Sequence, residues 1–385
     1  MVKKMRIRLP ENVKKVLDVL EAAGFEAYLV GGGVRDAICG NVSDDFDVCT
    51  NAFPDDILRL FEKTVPTGIK HGTVTVISGD TKIEVTTFRT DGEYDDFRHP
   101  DKVSFTGDLT TDLSRRDFTV NAICYSERTG IIDLFDGISD LKSKVLRTVG
   151  DPEKRFGEDA LRILRLYRFA STLGFDIEPK TGLAALKNAA LLKNISAERI
   201  RNEFIKLSGG AHPEAVLPLL NTGAIDFLSP DERVSEIPLL GDNSRLRFFA
   251  FLYLTGRDPV YAAERLKYSN AFKSYSKKMI TAEDMPHNSR VDVKRLLTLL
   301  EEDIFDFFDF RSAILGEDTN AARETAREII AAKEPYKISA LAVSGDDVIA
   351  KGYKGAAVGN KLGFLLDRVI EDPELNSKDK LLHLL

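Results

Sequence analysis

The fold is decided by the stretch Gly31-Gly32-Gly33-Val34-Arg35-Asp36, which is followed shortly by Asp45-Phe46-Asp47. The apolar residues 27–30 predict a short strand that enters the glycine turn, and residues 46–49 predict a second strand. Because side chains alternate along a strand, Asp45 and Asp47 are expected on one face. Two carboxylates on one face are costly to keep charged unless a cation lies between them.

This acidic pair favours a site for metal-dependent nucleotidyl transfer. Hard oxygen ligands favour Mg²⁺, which usually shares its coordination shell with substrate phosphates. The glycines upstream allow a triphosphate to approach the backbone where a helix begins. The competing interpretations are an acidic turn or helix cap for residues 44–47, tight packing for the glycines and a surface charge for Arg35.

A third carboxylate, Glu84, lies in the predicted strand Ile83-Glu84-Val85 between two apolar neighbours. Taken alone, it is typical of an edge charge or a salt bridge. Three carboxylates on adjacent strands, however, can hold two Mg²⁺ ions about 4 Å apart, one activating an attacking hydroxyl and one stabilising the leaving phosphate. We therefore predict that Glu84 joins Asp45 and Asp47 at a metal site.

The pattern of apolar residues predicts an α/β head followed by a long helical body. In the head we expect helices at 12–24 and 54–63, a hairpin of strands 73–78 and 82–88, a loop at 90–102 and a strand at 121–125. After Gly150-Asp151-Pro152 strand signals nearly vanish and helical periodicity dominates. There we expect helices at 156–173, 197–207, 213–220, 245–255, 259–266 and 291–300.

Composition excludes several classes of protein. The formal net charge of −7 argues against general nucleic-acid binding, although a local basic surface would suffice for RNA. No apolar run approaches the roughly 18 residues that a membrane span needs. The three cysteines have no metal-binding spacing and suggest no disulfide framework, so a reducing cytosol is the simplest compartment.

Residues 115–121, Arg-Arg-Asp-Phe-Thr-Val-Asn, combine groups that suit a nucleotide. Arginine pairs bidentately with phosphate, while aspartate and asparagine can bond ribose hydroxyls. The alternative interpretation is a solvated helix start that Asp117 caps.

The predicted helix from Phe156 carries Asp159 and then arginines at every third position, namely Arg162, Arg165 and Arg168. A solvated charged face is the ordinary interpretation of such a helix. However, a carboxylate that accepts from an exocyclic amine, beside a guanidinium that donates to a ring nitrogen, matches cytosine and adenine. Uracil and guanine present the reverse pattern, so one Asp/Arg pair can select C and A without a template.

These motifs resemble the bacterial-type, class II tRNA nucleotidyltransferases, the family of CCA-adding enzymes and poly(A) polymerases. The family's patterns are Gly-Gly-x-Val-Arg-Asp, Asp-x-Asp, Arg-Arg-Asp-Phe-Thr-x-Asn and Glu-Asp-x-x-Arg, and this chain matches them at 31–36, 45–47, 115–121 and 158–162. Ser196-Ala197-Glu198-Arg199 is similar to the family's next helix start, which braces the base-reading helix. Segments 265–270 and 341–359 resemble the family's body and tail.

The resemblance implies an α+β protein with a polymerase β-like nucleotidyltransferase head and an elongated helical remainder. The expected domains are a catalytic head at 1–145, a neck at 146–210, a body at 211–283 and a tRNA-binding tail at 284–385. It further implies the addition of C, C and A to the tRNA 3′ end from CTP and ATP with Mg²⁺, in the cytoplasm. The expected partners are the tRNA acceptor arm and 3′ end, ATP and CTP, with neither DNA nor a membrane.

By motif, the resemblance assigns a role to each site residue. Asp45, Asp47 and Glu84 would be the catalytic metal ligands. The groups expected to bind the nucleotide's phosphates and frame are Gly32, Arg35, Arg116, Arg165 and Arg168. Asp117 and Asn121 would bind its sugar, and Asp159 and Arg162 would read its base.

Alternatives within the enzyme class are a poly(A) polymerase, an A-adding enzyme and a CC-adding enzyme. Family members that add only CC lack the loop which this chain keeps at 91–100, so that alternative is disfavoured. A catalytically inactive RNA-binding protein is disfavoured by the presence of all three carboxylates.

Overall fold

The structure, a computed structural model, describes residues 2–3, 7–41, 45–91 and 103–385. The chain forms two compact units, Met1–Glu232 and Arg233–Leu385. The strands are β1 (Val2–Lys3), β2 (Ala27–Val30), β3 (Phe46–Thr50), β4 (Thr64–Gly68), β5 (Thr73–Ser78), β6 (Thr81–Thr87), β7 (Arg89–Asp91), β8 (Val103–Phe105), β9 (Ile123–Ser126), β10 (Gly130–Asp133), β11 (Val145–Leu146) and β12 (Asp176–Ile177). The loop predicted at 90–102 is wrong at its start, because Thr90 and Asp91 belong to β7 and pair with β8; its residues 92–102 lie outside the described residues.

The α-helices of the first unit follow the same chain order. They are α1 (Glu11–Ala22), α2 (Gly32–Ile38), α3 (Pro54–Leu60), α4 (Leu109–Ser114), α5 (Gly137–Ser143), α6 (Pro152–Glu158), α7 (Leu161–Leu173), α8 (Pro179–Lys187), α9 (Ala197–Ser208) and α10 (Leu217–Leu220). Those of the second unit are α11 (Ser244–Thr255), α12 (Pro259–Arg265), α13 (Asn270–Glu283), α14 (Arg290–Leu300), α15 (Ile304–Ile314), α16 (Asn320–Ala331), α17 (Gly345–Ala350), α18 (Ala356–Glu371) and α19 (Lys378–His383).

The sheet of the first unit places the acidic strand at its centre. Its strand order is β1-β10-β9-β2-β3-β6-β5-β4. Neighbouring strands are antiparallel except β3 and β6, which are parallel and place Asp47 opposite Glu84. Along β6 the side chains of Ile83 and Val85 are fully buried and Glu84 is exposed. The period-two pattern of the sequence thus decides which face of β6 enters the core.

Helix α7 is the core of the helical part of the first unit. Its residues Leu161, Ile163, Leu164, Leu166 and Tyr167 are buried. It packs against α9, and the Ser171 hydroxyl donates to the carbonyl of Leu207 at 2.7 Å. Arg162 and Arg168 of α7 therefore lie largely against protein, whereas the side chain of Arg165 is 35% exposed.

The α+β fold class, with an α/β head and a helical remainder, is confirmed. The hairpin of β5 and β6 and helices α1, α9, α11, α12 and α14 lie where the periodicity predicts them. The segment 213–220 begins as a 3₁₀ helix, Pro213–Val216, before α10. The prediction of a single helix at 156–173 is wrong, because this segment is divided between α6 and α7. The predicted division into four domains stays a prediction.

The second unit has an aromatic core and a separate C-terminal cluster. Phe248, Phe249, Phe251, Phe307 and Phe308 are fully buried. The cluster contains Val343, Leu365, Val369 and Leu381. In the ranges that the structure describes, no helix has the length and apolar character required to cross a bilayer.

The second unit also buries a cation, which generates a stability prediction. The Lys294 side chain is 2% exposed and its Nζ lies 2.8 Å from Glu334, which also pairs with Arg290. Replacing Glu334 with Gln removes the negative partner of a buried ammonium group, so we expect the free energy of unfolding to fall by about 3 kcal/mol. Urea denaturation followed by circular dichroism measures this change.

The matched control is Glu328→Gln. Glu328 pairs only with Arg290 among these cations, and its side chain is 57% exposed. An exposed pair contributes less than about 1 kcal/mol. Equal destabilisation by the two variants would show that the pair of Lys294 with Glu334 contributes no more to the free energy of unfolding than an exposed pair does.

Candidate active site

The glycine turn brings a carboxylate and a guanidinium group to one point. Gly31 follows β2 with a φ of +75°, which favours glycine. A Cβ atom there would lie 3.5 Å from Oδ2 of Asp47 and 3.7 Å from Nη1 of Arg116. The antiparallel register of β2 and β3 sets Val30 opposite Asp47. The turn therefore places both groups beside the start of α2, whose first residue is Gly32.

The three predicted metal ligands lie on two neighbouring strands, at the start of β3 and at the facing position of β6. We call these three carboxylates the acidic edge. Asp45 is exposed and immediately precedes β3, Asp47 is partly buried within β3, and Glu84 is exposed on β6. Burial and then the charge of Asp45 raise the pKa of the Asp47 carboxyl to about 6, although the charge of Arg116 opposes this rise. Burial and the acidic neighbours thus disfavour the ionised form of Asp47, which a bound cation would stabilise.

The carboxylates do not by themselves form a complete metal cage. Within the described part of the chain, no three acidic, histidine or cysteine side chains gather into a group that could hold a metal ion. The expected binding of a metal by Asp45, Asp47 and Glu84 stays a prediction, and in the register of β3 and β6 Asp47 lies opposite Glu84. The hard oxygen donors and the raised pKa of Asp47 nevertheless fit a divalent cation that takes further ligands from a substrate.

A buried chain of hydrogen bonds connects four of the predicted nucleotide-binding residues. Arg35 donates through Nη1 to Oδ1 of Asn121 at 2.8 Å, and Asn121 donates through Nδ2 to Oδ1 of Asp117 at 3.2 Å. Arg165 donates to Oδ2 of Asp117 through Nε at 2.8 Å and Nη2 at 2.5 Å. Burial opposes ionisation of Asp117, but the charge and hydrogen bonds of Arg165 outweigh it and lower the pKa of that carboxyl to about 2.

This chain of bonds decides between the interpretations of two motifs. Arg35 is 8% exposed, so it is not a surface charge, and Asp117 is also 8% exposed, so it does not cap a solvated helix. Asn121 ends a buried 3₁₀ turn, Thr119–Asn121. The expected contacts of Asp117 and Asn121 with a sugar stay predictions.

Arg116 lies between the acidic edge and a buried carboxylate. Its Nη2 is 3.4 Å from Oδ2 of Asp112, which is fully buried and also accepts from Arg115 at 2.8 Å. Burial lowers the pKa of Arg116, but the negative charges around it, chiefly that of Asp112 and also those of Asp47 and Asp117, together outweigh burial and leave that pKa raised. Arg116 therefore stays cationic beside Asp47.

The predicted base-reading residues lie at a helix break. Asp159 ends α6 with an extended backbone, φ −138° and ψ 103°. Its Oδ1 accepts from the backbone N–H of Leu161 at 3.0 Å, and its Oδ2 accepts from Nη2 of Arg199 at 3.3 Å. The prediction that Asp159 lies on a continuous helix is wrong, because these tertiary contacts stabilise a bend at the start of α7. The contact with Arg199 agrees with the expected brace from the start of α9, although Ser196 makes no side-chain capping bond.

Arg162 is held by groups from three places in the chain. Its Nη1 donates to the Arg155 carbonyl at 3.1 Å and to Oε2 of Glu158 at 2.9 Å, and its Nη2 donates to the Arg115 carbonyl at 2.8 Å. A guanidinium group has five N–H donors, so these bonds leave donors for a further ligand. The side chain is buried, which contradicts the solvated-face interpretation of this helix.

The last arginine of the helix completes a cationic group. Arg168 lies 2.8 Å from Glu203 of α9, and burial together with the charge of Arg165 lowers the pKa of Arg168 to about 10. The guanidinium carbons of Arg35, Arg165 and Arg168 lie 5.4, 5.4 and 3.7 Å from the centre of one ring, Phe169. We call these three arginines the arginine cluster.

Sequence reasoning missed three residues that support the site. Asp112 holds Arg116, Glu203 pairs with Arg168, and Phe169 contacts the whole arginine cluster. Asp112 and Glu203 have no local pattern that separates them from surface acids. Phe169 follows Arg168 directly and falls on the apolar stripe of the helix, so its sequence context indicates only a core residue.

Comparison with known proteins matches two segments of the first unit to described families, and the motif at 158–162 lies between them. Residues 27–147 match the profile of the "Poly A polymerase head domain". Residues 174–232 match "Probable RNA and SrmB- binding site of polymerase A".

Similar proteins span nearly the whole chain. A CCA-adding enzyme of Lactobacillus helveticus is 38% identical, with 94% of each chain covered, and one of Levilactobacillus brevis is 38% identical, with 96% of each covered. The crystal structure of the Bacillus stearothermophilus CCA-adding enzyme in complex with CTP has a TM-score of 0.84 and 32% identity. That comparison covers 98% of this chain and 97% of the other.

The raised pKa of Asp47 generates a prediction about metal-free stability. Since the pKa rises from an ordinary 3.8 to about 6, this carboxyl stabilises the fold below pH 3.8 and loses that contribution as the pH rises through 6. Asn cannot ionise, so the stability gained by Asp47→Asn should be about 2 kcal/mol larger at pH 8 than at pH 4.5. Chemical denaturation in EDTA at the two pH values measures it.

Asp18→Asn serves as the control, because Asp18 is an exposed residue on α1. The effect of Asp18→Asn on the free energy of unfolding should not show the difference between pH 4.5 and pH 8 that is expected for Asp47→Asn. An Asp47→Asn gain that is independent of pH would show that burial and the neighbouring carboxylates do not raise the pKa of Asp47.

Proposed function

Because the chain belongs to the CCA-adding enzymes, we propose that it adds C, C and A to the 3′ end of tRNA from CTP and ATP and releases diphosphate. The observation that carries this proposal is the convergence of Asp47 and Arg116 on the Gly31 turn, within 3.5 and 3.7 Å of one point. A carboxylate edge next to a buried cationic region provides the two kinds of group that nucleotidyl transfer requires.

In this reaction the terminal ribose hydroxyl of the tRNA attacks the α-phosphorus of the nucleotide. A new P–O bond forms, and the bond between the α-phosphorus and the diphosphate breaks. No covalent enzyme intermediate is needed, because positioning and electrostatic stabilisation are sufficient for this type of transfer.

Asp45 and Asp47 are proposed to hold Mg²⁺, with Glu84 as the third carboxylate. When bound, the ion supplies positive charge that activates the attacking hydroxyl and stabilises the leaving group. Asp45 and Glu84 are both exposed residues. Arg116 keeps a fixed positive charge beside Asp47.

The arginine cluster and Arg116 are proposed to bind the phosphates, beside Gly32 at the start of α2. Each cluster arginine already pairs with a carboxylate, so it enters the reaction with its side chain fixed. Asp117 and Asn121 are proposed to reach the sugar from the same bonded chain.

Asp159 and Arg162 are proposed to read the base. The Asp159 carboxylate accepts from the exocyclic amine of C or A, and Arg162 donates to the adjacent ring nitrogen. Both side chains have hydrogen-bonding capacity beyond the partners described above, since a carboxylate offers about four acceptor sites and a guanidinium five donors.

The helical remainder is proposed to hold the tRNA acceptor arm through backbone phosphates, which reads shape rather than sequence. Lys351 and Lys354 are exposed in the second unit and available for such contacts. We assign the reaction to the cytoplasm, since free thiols at Cys39, Cys49 and Cys124 fit a reducing compartment.

The deciding experiment is product length on a tRNA that lacks CCA. With CTP alone the product should gain two cytidines, and with CTP and ATP it should gain CCA and stop. Asp47→Ala provides the inactive control. Long adenosine tails from ATP alone, or addition only to a tRNA that already ends in CC, would replace this proposal with a poly(A)-polymerase or A-adding activity.

A second prediction concerns base choice. Asp159→Asn keeps an oxygen that accepts from Leu161 N–H, but its amide group can donate where the carboxylate only accepted. A mispaired buried hydrogen bond costs about 1–3 kcal/mol, so the preference for CTP over UTP should fall roughly ten- to hundredfold. Competition between the four nucleotides for incorporation measures the preference.

The control for this prediction is Asp151→Asn, an exposed change at the start of α6 whose carboxylate makes no capping bond. It should leave nucleotide preference unchanged. If Asp159→Asn slows all nucleotides equally, the base is read elsewhere and Asp159 only shapes the start of α7.

A further inference from the structure

The Phe169 ring is the contact that the three members of the arginine cluster share. The guanidinium carbon of Arg168 lies 3.7 Å from the ring centre, and those of Arg35 and Arg165 each lie 5.4 Å away. An aromatic face attracts cations at these distances through its quadrupole. The ring is 6% exposed, so this attraction operates with little solvent screening.

The ring itself is fixed by the core. Fully buried Phe118 meets Phe169 edge to face, with ring centres 5.8 Å apart and an interplanar angle of 85°. Phe118 directly follows Asp117, the partner of Arg165. The same short segment therefore anchors the ring and one of the arginines.

The carboxylate partners of the cluster come from three separate elements. Arg35 pairs with Asp36 of α2 at 2.8 Å, Arg165 pairs with Asp117 before the 3₁₀ turn at 2.5 Å, and Arg168 pairs with Glu203 of α9 at 2.8 Å. These pairs neutralise each cation but do not set the distances between the arginines. Three guanidinium groups also repel one another, and Phe169 is the group that contacts all three.

We propose that Phe169 is a positioning residue for the nucleotide's triphosphate: its ring face holds Arg35, Arg165 and Arg168 in a fixed arrangement before the nucleotide arrives. This inference rests on the proposed phosphate-binding role of the cluster. It assigns the ring an electrostatic role beyond filling the core. Preorganised cations lose less side-chain entropy on binding, so the ring should strengthen phosphate binding rather than accelerate the chemical step.

The test replaces Phe169 in the full chain with pentafluorophenylalanine, which nearly keeps the ring's shape but reverses its face charge. The KM for CTP and the dissociation constant for inorganic triphosphate should both rise, by about two- to thirtyfold, with kcat and the thermal unfolding midpoint nearly unchanged. Trifluorophenylalanine, with a weakened face charge, should give an intermediate rise. Inorganic triphosphate is the probe because it reports the arginines without base or sugar.

The matched control is the same substitution at Phe88, a fully buried ring that stacks on Tyr28 in the sheet core. It should leave triphosphate binding unchanged. As a second variant, Phe169→Leu should weaken triphosphate binding at least as much as the fluorinated ring does. Unchanged binding in the fluorinated Phe169 variants, whether or not the unfolding midpoint falls, would overturn the proposal, since the ring would then only fill space.

The same experiment separates this inference from the proposed function. If the wild-type protein binds neither CTP nor inorganic triphosphate, the proposed phosphate-binding role of the cluster fails. If the wild type binds both and the fluorinated variants bind them equally well, only the role of Phe169 fails.

Discussion

The ion pair between Asp117 and Arg165 is the constraint on which the site depends. It joins a segment of the α/β head to α7, through contacts of 2.8 and 2.5 Å from Arg165 to the buried Asp117 carboxylate. Removing one partner of such a pair leaves an uncompensated buried charge, which costs several kcal/mol. Asp117 also accepts a hydrogen bond from Asn121, and Asn121 accepts one from Arg35. The pair therefore connects Arg165 to Arg35 through these bonds.

The resulting site has two poles. On one side lie the carboxylates Asp45, Asp47 and Glu84, where burial and then the neighbouring negative charges raise the pKa of Asp47 to about 6. On the other, the arginine cluster remains cationic because each guanidinium has its own carboxylate. A nucleoside triphosphate with a divalent cation has the complementary arrangement, an anionic tail and a positive centre. Arg116 lies at the boundary, close enough to Asp47 to oppose its rise in pKa.

Much of the fold could be predicted from local patterns. The alternation in 73–87 indicated the β5–β6 hairpin, and the glycine turn with Asp45 and Asp47 indicated the acidic edge. The break at Asp159 could not be predicted, since the segment 156–173 has continuous helical periodicity and no proline. The bonds that stabilise the break come from Arg199 and from the carbonyl of Arg115, which are distant in sequence.

The surroundings of the arginines of α7 could not be predicted from the local sequence either. In the sequence, an arginine at every third position is more typical of a solvated face than of a buried one. The distinction depends on counter-charges at Asp117 and Glu203, which local spacing does not connect to the helix. The contacts of Phe169 are harder still to predict. A phenylalanine that only fills the core and one that contacts cations occupy the same kind of position in the apolar stripe of a helix.

The helix break explains why an aspartate suits position 159. At the break the backbone N–H of Leu161 lacks a helical partner, and one Asp159 oxygen accepts from it. The other oxygen accepts from Arg199, which ties the break to α9. An acceptor-only group with about four acceptor sites can maintain both bonds and still accept from a base amine. Asparagine has only one acceptor oxygen, so the structural bonds and base recognition would compete for it. The carboxylate can therefore stabilise the bend and present an acceptor to the nucleotide at the same time.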